Sequence, residues 1–125
     1  MLLVGLFQHT VAASATYYFV TAYNGYSFGN TVNSLYMPAA CTAKKLYVAI
    51  MTAQPADNSL VVTLMHNGVD SVLKVTFPAS AAANTVESDL TDTVAVATGD
   101  TLTFQATNNS TSASAEIGYV SMECQ

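Results

Sequence analysis

Charge is scarce in this sequence. Asp, Glu, Lys and Arg together make up 9% of its 125 residues, against roughly 25% in an average soluble domain. Arginine and tryptophan are absent, and the only lysines are Lys44, Lys45 and Lys74. With a net charge of −5 the chain cannot neutralise a phosphate backbone or hold to an anionic bilayer. Nucleic acid and membrane are therefore excluded as partners. No stretch keeps a helical hydrophobic period for three turns; the alanine-rich window at 79–84 is short and follows Pro78.

Reactive chemistry is missing too. There is no Gly-x-Ser-x-Gly elbow, phosphate loop or dinucleotide fingerprint. His9 and His66 read as surface or contact residues, not catalysts. Cys41, Cys124, His9 and His66 have no metal-ligand spacing. Glu87, Asp89 and Asp92, in "ESDLTD", lack the glycine-bearing loop and ligand count of a calcium site, and read as a solvated strand. Neither enzyme nor cofactor is expected. For Cys41 and Cys124, free half-buried thiols are the favoured reading and a disulfide is the alternative.

What is there is apolar and β-forming. Hydrophobic residues are 51% of the chain, too many for disorder at this net charge. Strands are expected over Leu2–Gln8, Thr16–Ala22, Ser34–Met37, Lys45–Thr52, Ser59–His66, Ser71–Phe77, Thr85–Val96, Thr101–Thr107 and Glu116–Glu123, separated by Gly, Pro and Asn punctuation. The length allows one domain. Its expected layout is an N-terminal strand or arm at 1–15 and a sandwich over 16–125.

The stretch "VVTLMHNGVDSVLKVTF" shows the face logic. A four-residue loop, Asn67 to Asp70, sets Leu64, Val62 and Leu60 opposite Leu73, Val75 and Phe77. A two-residue turn at Asn67-Gly68 sets Leu64 opposite Ser71 instead. The longer loop buries three apolar pairs and is the expected one. The other face carries Val61, Thr63, Met65, Val72, Lys74 and Thr76, a mixed set. Eight or nine such strands predict an all-β antiparallel jelly roll, or another Greek-key sandwich.

The run from "YMPAACTAKKLYVAIMTAQP" through that hairpin to "VAVATGDTLTFQAT" resembles small phage-associated jelly-roll modules of tumour-necrosis-factor/C1q-like fold. The likeness covers about residues 34–125. It implies trimeric assembly and a structural role in a virion. One departure is Met65-His66, where related hairpins often carry Arg or Lys, and this leaves a charged role for the tip without support.

Two segments bear on surfaces. In "TYYFVTAYNGYSFGN", Phe19 and one neighbouring tyrosine are expected to line the core. Tyr17, Tyr23 and Tyr26 are the candidates for a subunit or capsid contact, with a glycan-stacking platform as the alternative. In "MLLVGLFQH", the residues Leu2, Leu3, Val4, Leu6 and Phe7 form either the first strand or an arm added to a neighbour's sheet. Coverage by another chain is favoured, because an exposed run of this kind invites aggregation. The apolar start followed by Ala-Ser-Ala imitates a signal peptide. It lacks a preceding Lys or Arg and is broken by Gln8-His9-Thr10, so it is expected to stay with the chain. "NNST" holds overlapping glycosylation sequons at Asn108 and Asn109.

The sequence thus favours a non-enzymatic virion protein, a phage capsid decoration protein assembling as a homotrimer. The alternatives are a tail-fibre or spike head, a secreted glycan-binding module in an extracellular setting, or an extracellular filament subunit joined by its first strand.

Overall fold

A computed structural model of the chain describes residues 2–20, 32 and 34–125, with residues 2–9 as backbone only. Nine strands are present among them: β1 (Leu2–Val11), β2 (Thr16–Phe19), β3 (Leu35–Tyr36), β4 (Cys41–Ile50), β5 (Leu60–His66), β6 (Val69–Phe77), β7 (Val86–Val96), β8 (Thr101–Asn108) and β9 (Ala115–Cys124). They form two antiparallel sheets. The first runs β1-β9-β4-β7. The second runs β2-β8-β5-β6, with the short β3 also paired to β8. β1 and β2 lie at one flank of the sandwich, then β9 and β8, then β4 and β5, with β7 and β6 at the far flank. This arrangement is a jelly roll, the fold that strand count and alternation predict.

The alternation of β-strand side chains decides what is buried. Leu46, Val48, Ile50, Ile117, Val120 and Met122 of the first sheet face Leu60, Val62, Leu64, Leu73, Phe77 and Phe104 of the second, all 2% exposed or less. Each of these side chains is worth about 1.5–3 kcal/mol relative to exposure, before chain entropy is charged against it. Phe19 stacks on Phe104 with ring centroids 5.5 Å apart. This fixes β2 to β8 through a core contact as well as through the ladder.

The β5–β6 hairpin corrects the expected loop and keeps the expected register from Leu60 to Thr63, the expected pair of Leu64 with Leu73 falling in a register shift. Leu60 pairs with Phe77 and Val62 with Val75. Yet His66 pairs with Val69, so the turn is two residues, Asn67 and Gly68. Both have positive φ, 51° and 78°, as the hairpin turn that matches strand twist requires. The two demands are reconciled in β6. Thr63 pairs with Lys74 but Met65 with Asp70, so β6 carries two extra residues between those pairs, a bulge beside the turn. A shift of two leaves every side chain on its proper face.

The cysteines are also corrected. Cys41 and Cys124 form a disulfide, with Cα atoms 5.4 Å apart, within the range such a bond requires. β4 and β9 pair here, Ala43 opposite Cys124, and Thr42 and Gln125 exchange backbone hydrogen bonds of 2.6 and 3.1 Å. Sheet register, not sequence proximity, brings the sulfurs together.

β1 pairs with β9 of its own chain, from Leu2 opposite Glu123 to Val11 opposite Ala115. The side chains of Leu2, Leu3, Val4, Leu6 and Phe7 lie outside what the structure describes.

Candidate functional site

The outward face of the second sheet carries a cleft of about 280 Å³ lined by Val61, Thr63, Asp70, Ser71, Lys74, Gln105, Thr107 and Asn109. Register puts these residues in rungs. Tyr18 lies opposite Gln105, Gln105 opposite Thr63, and Thr63 opposite Lys74, one row across β2, β8, β5 and β6. The next row is Thr16, Thr107, Val61 and Thr76. Thr63 is 5% exposed and forms the floor. Asn109 closes one end. Its N–H donates to the Ser59 carbonyl at 2.9 Å and its amide reaches the Ser59 hydroxyl at 3.3 Å. At the other end the β6 bulge turns Asp70 and Ser71 toward the cleft. This is a familiar use of a bulge, which re-aims side chains that regular pleating would not bring together.

The lining keeps hydrogen-bonding capacity beyond the bonds that Ser71, Thr107 and Asn109 make to Leu73, Thr16 and Ser59. Among the described residues, the Lys74 ammonium makes no ion pair. Gln105 makes only a weak contact to the Met65 sulfur, at 3.7 Å. A carboxylate, an ammonium, two amides and three hydroxyls therefore point at one trough whose floor is partly apolar. The set suits a polyhydroxylated ligand, because each group can donate to or accept from a hydroxyl. Asp70 is the only carboxylate lining the cleft, whereas glycoside hydrolysis uses a facing pair. No residue of the lining is a histidine or a cysteine.

Two clusters brace the sandwich around this face. His66, Asn67 and Asp100 join the β5–β6 turn to the β7–β8 turn. Asp57 accepts from the Ser110 hydroxyl at 2.7 Å and the Thr111 N–H at 3.1 Å, which pins the β8–β9 loop. The Ser110 hydroxyl, then the backbone N–H of Thr111 and the Ser112 hydroxyl, hold the Asp57 carboxyl below the usual range.

The expected site residues divide as follows. Tyr17 lies opposite Ala106 and packs on the core. It is the inward member of its pair, so its ring is a poor platform, and Tyr18 is the outward tyrosine beside the cleft. Tyr23 and Tyr26 lie outside the described residues. His66 is engaged by Asp100, and His9 is described by its backbone alone. Asp89 accepts from the backbone of Thr91, Asp92 and Lys74. It acts as a strand brace, and the described residues contain no metal-binding cluster. Of the two sequons, Asn108 is 1% exposed, with its amide within 3.2 Å of three carbonyls, so its side chain is closed to modification in the folded protein. The cleft itself was missed. Its only signal was the mixed face of the β5–β6 hairpin.

No protein-family profile matches the sequence, and no curated protein matches it. The fold is similar to that of a family 35 carbohydrate-binding module from Clostridium thermocellum. That alignment covers 98% of this chain and 97% of the module, at 11% identity and a TM-score of 0.52. A looser likeness is to the CBM36-1 domain of a multidomain xylanase from the hindgut metagenome of Trinervitermes trinervoides, at 16% identity and a TM-score of 0.45, over 93% and 96% of the two chains. At such identities the first likeness establishes the fold and nothing finer. Neither is to the phage-associated tumour-necrosis-factor/C1q-like modules. The jelly-roll part of that resemblance stands, and its virion and trimer implications gain no support.

Proposed function

We propose that the protein is a non-catalytic glycan-binding module that holds a saccharide in the cleft between Asn109 and Asp70. The observation that carries this reading is the lining itself. Lys74, Gln105, Thr63 and Thr107 are brought together on three strands, the Lys74 ammonium without an ion pair among the described residues, Gln105 held only by the Met65 sulfur, and Thr107 sharing its hydroxyl with Thr16. Tyr18 adds an aromatic edge to the same row, where a sugar ring can pack. The carbohydrate-binding module of similar fold supports the reading, since that fold has served saccharide recognition elsewhere. The disulfide fits an extracellular setting, where such bonds persist. No observation favours a capsid, fibre or filament role over this one.

The test is a glycan array followed by titration calorimetry on the hits, with wild type, Lys74→Ala and Gln105→Ala. Each variant is expected to weaken binding about tenfold, the worth of one or two hydrogen bonds to a fixed partner, with an unchanged melting temperature. Absence of any saccharide hit, or hits that survive both substitutions, would remove the cleft from consideration.

A further inference from the structure

The four sheet edges of this sandwich are not protected alike. At one flank β6 and β7 carry Asp70, Lys74, Glu87, Asp89 and Asp92. The Lys74 N–H also donates to the Asp89 carboxylate at 3.3 Å, drawing the two sheets together there. Charges at an edge, and cover from the opposite sheet, are the usual defences against strand addition. The other flank, formed by β1 and β2, has no such charges. Residues 1–43 contain no Asp, Glu, Lys or Arg, and all eight acids lie at Asp57 or beyond. β2 is four residues long, while β1 is ten, with no proline and no charge. Among the described residues β1 pairs with β9 alone. Among the described residues nothing pairs with its other edge, which offers regular backbone N–H and C=O groups over Leu2–Leu6; the bulge between Leu6 and His9, a feature that discourages pairing, limits the edge to that stretch.

We propose that β1 is a dimerisation edge: two copies of this chain pair antiparallel through the free edges of their first strands. Charge selects the occupant. Each molecule carries −5, and approach through the β6–β7 flank would oppose like charges. The β1 flank is where a second copy approaches at least electrostatic cost. An isologous two-fold contact also matches a strand to itself, with no need for a foreign sequence. The axis relating two antiparallel strands of one sheet stands perpendicular to that sheet. The first sheets of the two copies therefore merge into eight strands, and the outer faces of both second sheets look the same way. The pairing does not depend on the glycan reading. If that reading holds, the dimer presents two clefts to one surface, and avidity follows.

The test is light scattering coupled to size exclusion, with amide hydrogen exchange, on the full chain across a concentration series. The expected result is a dimer whose β1 amides gain protection as it forms. Val4 and Leu6 lie opposite Ser121 and Tyr119 in register, within the regular stretch of β1, and are the positions at which to place charge. Val4→Lys with Leu6→Lys, and separately Val4→Glu with Leu6→Glu, should each raise the dissociation constant about tenfold or more. Mixing the two variants should restore the dimer, a result that misfolded chains would not give. A wild type that stays monomeric at every concentration would overturn the proposal. So would β1 amides whose protection is independent of concentration, since the edge would then be covered by its own chain.

Discussion

His66 Nε2 lies 2.6 Å from Asp100 Oδ2, and this contact ties the tip of the β5–β6 hairpin to the turn between β7 and β8. The same carboxylate accepts from the Asn67 amide at 2.9 Å and from the Ala97 N–H at 2.7 Å. Asn67 in turn accepts the Thr101 N–H at 2.8 Å. Two turns separated in sequence by two strands, β6 and β7, are thus locked together beside the Asp70 end of the cleft.

This clasp predicts an acid limb of stability. The Asn67 amide first, then His66 and the Ala97 N–H, hold the Asp100 carboxyl down to about 2 from an ordinary 3.8. Between those values the unfolded chain binds more protons than the folded one, so stability must fall as pH drops from about 4 toward 2. Asp100→Asn is expected to lower stability at neutral pH and to flatten the slope in that window. Urea midpoints measured at a series of pH values would show both effects. A variant with the wild-type slope would mean that Asp57, Asp89 and Glu123, also held low, carry the acid limb without Asp100.

The disulfide predicts a redox-sensitive fold. It closes a sequence separation of 83 residues, and removing a native bridge from a small domain costs about 2–5 kcal/mol. Cys41→Ser with Cys124→Ser should lower the melting temperature and leave the β4–β9 register intact, because the Thr42–Gln125 hydrogen bonds do not need the sulfurs. Thermal melts with and without reductant, with intact mass to count thiols, would check this. A wild type indifferent to reductant would mean that the bridge adds nothing.

Tyr17 and Tyr18 should behave oppositely. Tyr17 packs on the core, so Tyr17→Ala is expected to cost about 2 kcal/mol, below the range for a fully buried ring because this one is only half-buried. Tyr18 shares its row with Gln105. Tyr18→Ala should change stability by under about 0.5 kcal/mol and weaken any saccharide bound in the cleft. Chemical melts and calorimetry on the two variants separate the roles, and a reversal would mean that β2 is paired one residue out of register.

Those two tyrosines also mark the limit of what the sequence discloses. The expectation that Phe19 and one neighbour turn inward needs only the two-residue period of a strand. The same period names Tyr17, two residues from Phe19, as that neighbour; what the sequence does not disclose is that β8 lies alongside, setting Ala106 opposite Tyr17 and Gln105 opposite Tyr18. The β5–β6 hairpin divides in the same way. Matching apolar faces yields Leu60 opposite Phe77, while the turn is set by the backbone preference of Asn67-Gly68, and a bulge lets both hold. The bulge has no composition signal in Ser71-Val72. The cleft was half legible, since Val61, Thr63 and Lys74 share a face on sequence grounds. Gln105 and Thr107 join them only once the jelly-roll topology sets β8 beside β5.

Asn108 gives the sharpest test of a single side chain. Its amide lies 3.1, 3.2 and 3.0 Å from the carbonyls of Val11, Ala12 and Ala113, and its Oδ1 accepts the Ser110 N–H at 3.0 Å. It thereby joins the end of β1 to the β8–β9 loop at a buried point. Asn108→Ala should cost about 2–3 kcal/mol, since it strands buried carbonyls and an N–H that water cannot reach. Asn108→Asp should cost more, because it aims an acceptor at three acceptors and buries a charge. Asn109, next in sequence and half-exposed, should tolerate Ala within about 1 kcal/mol, although it lines the cleft. If urea melts found Asn108→Asp as stable as wild type, the amide could not be bonded as described, and the link between the end of β1 and this loop would have to rest on backbone contacts alone.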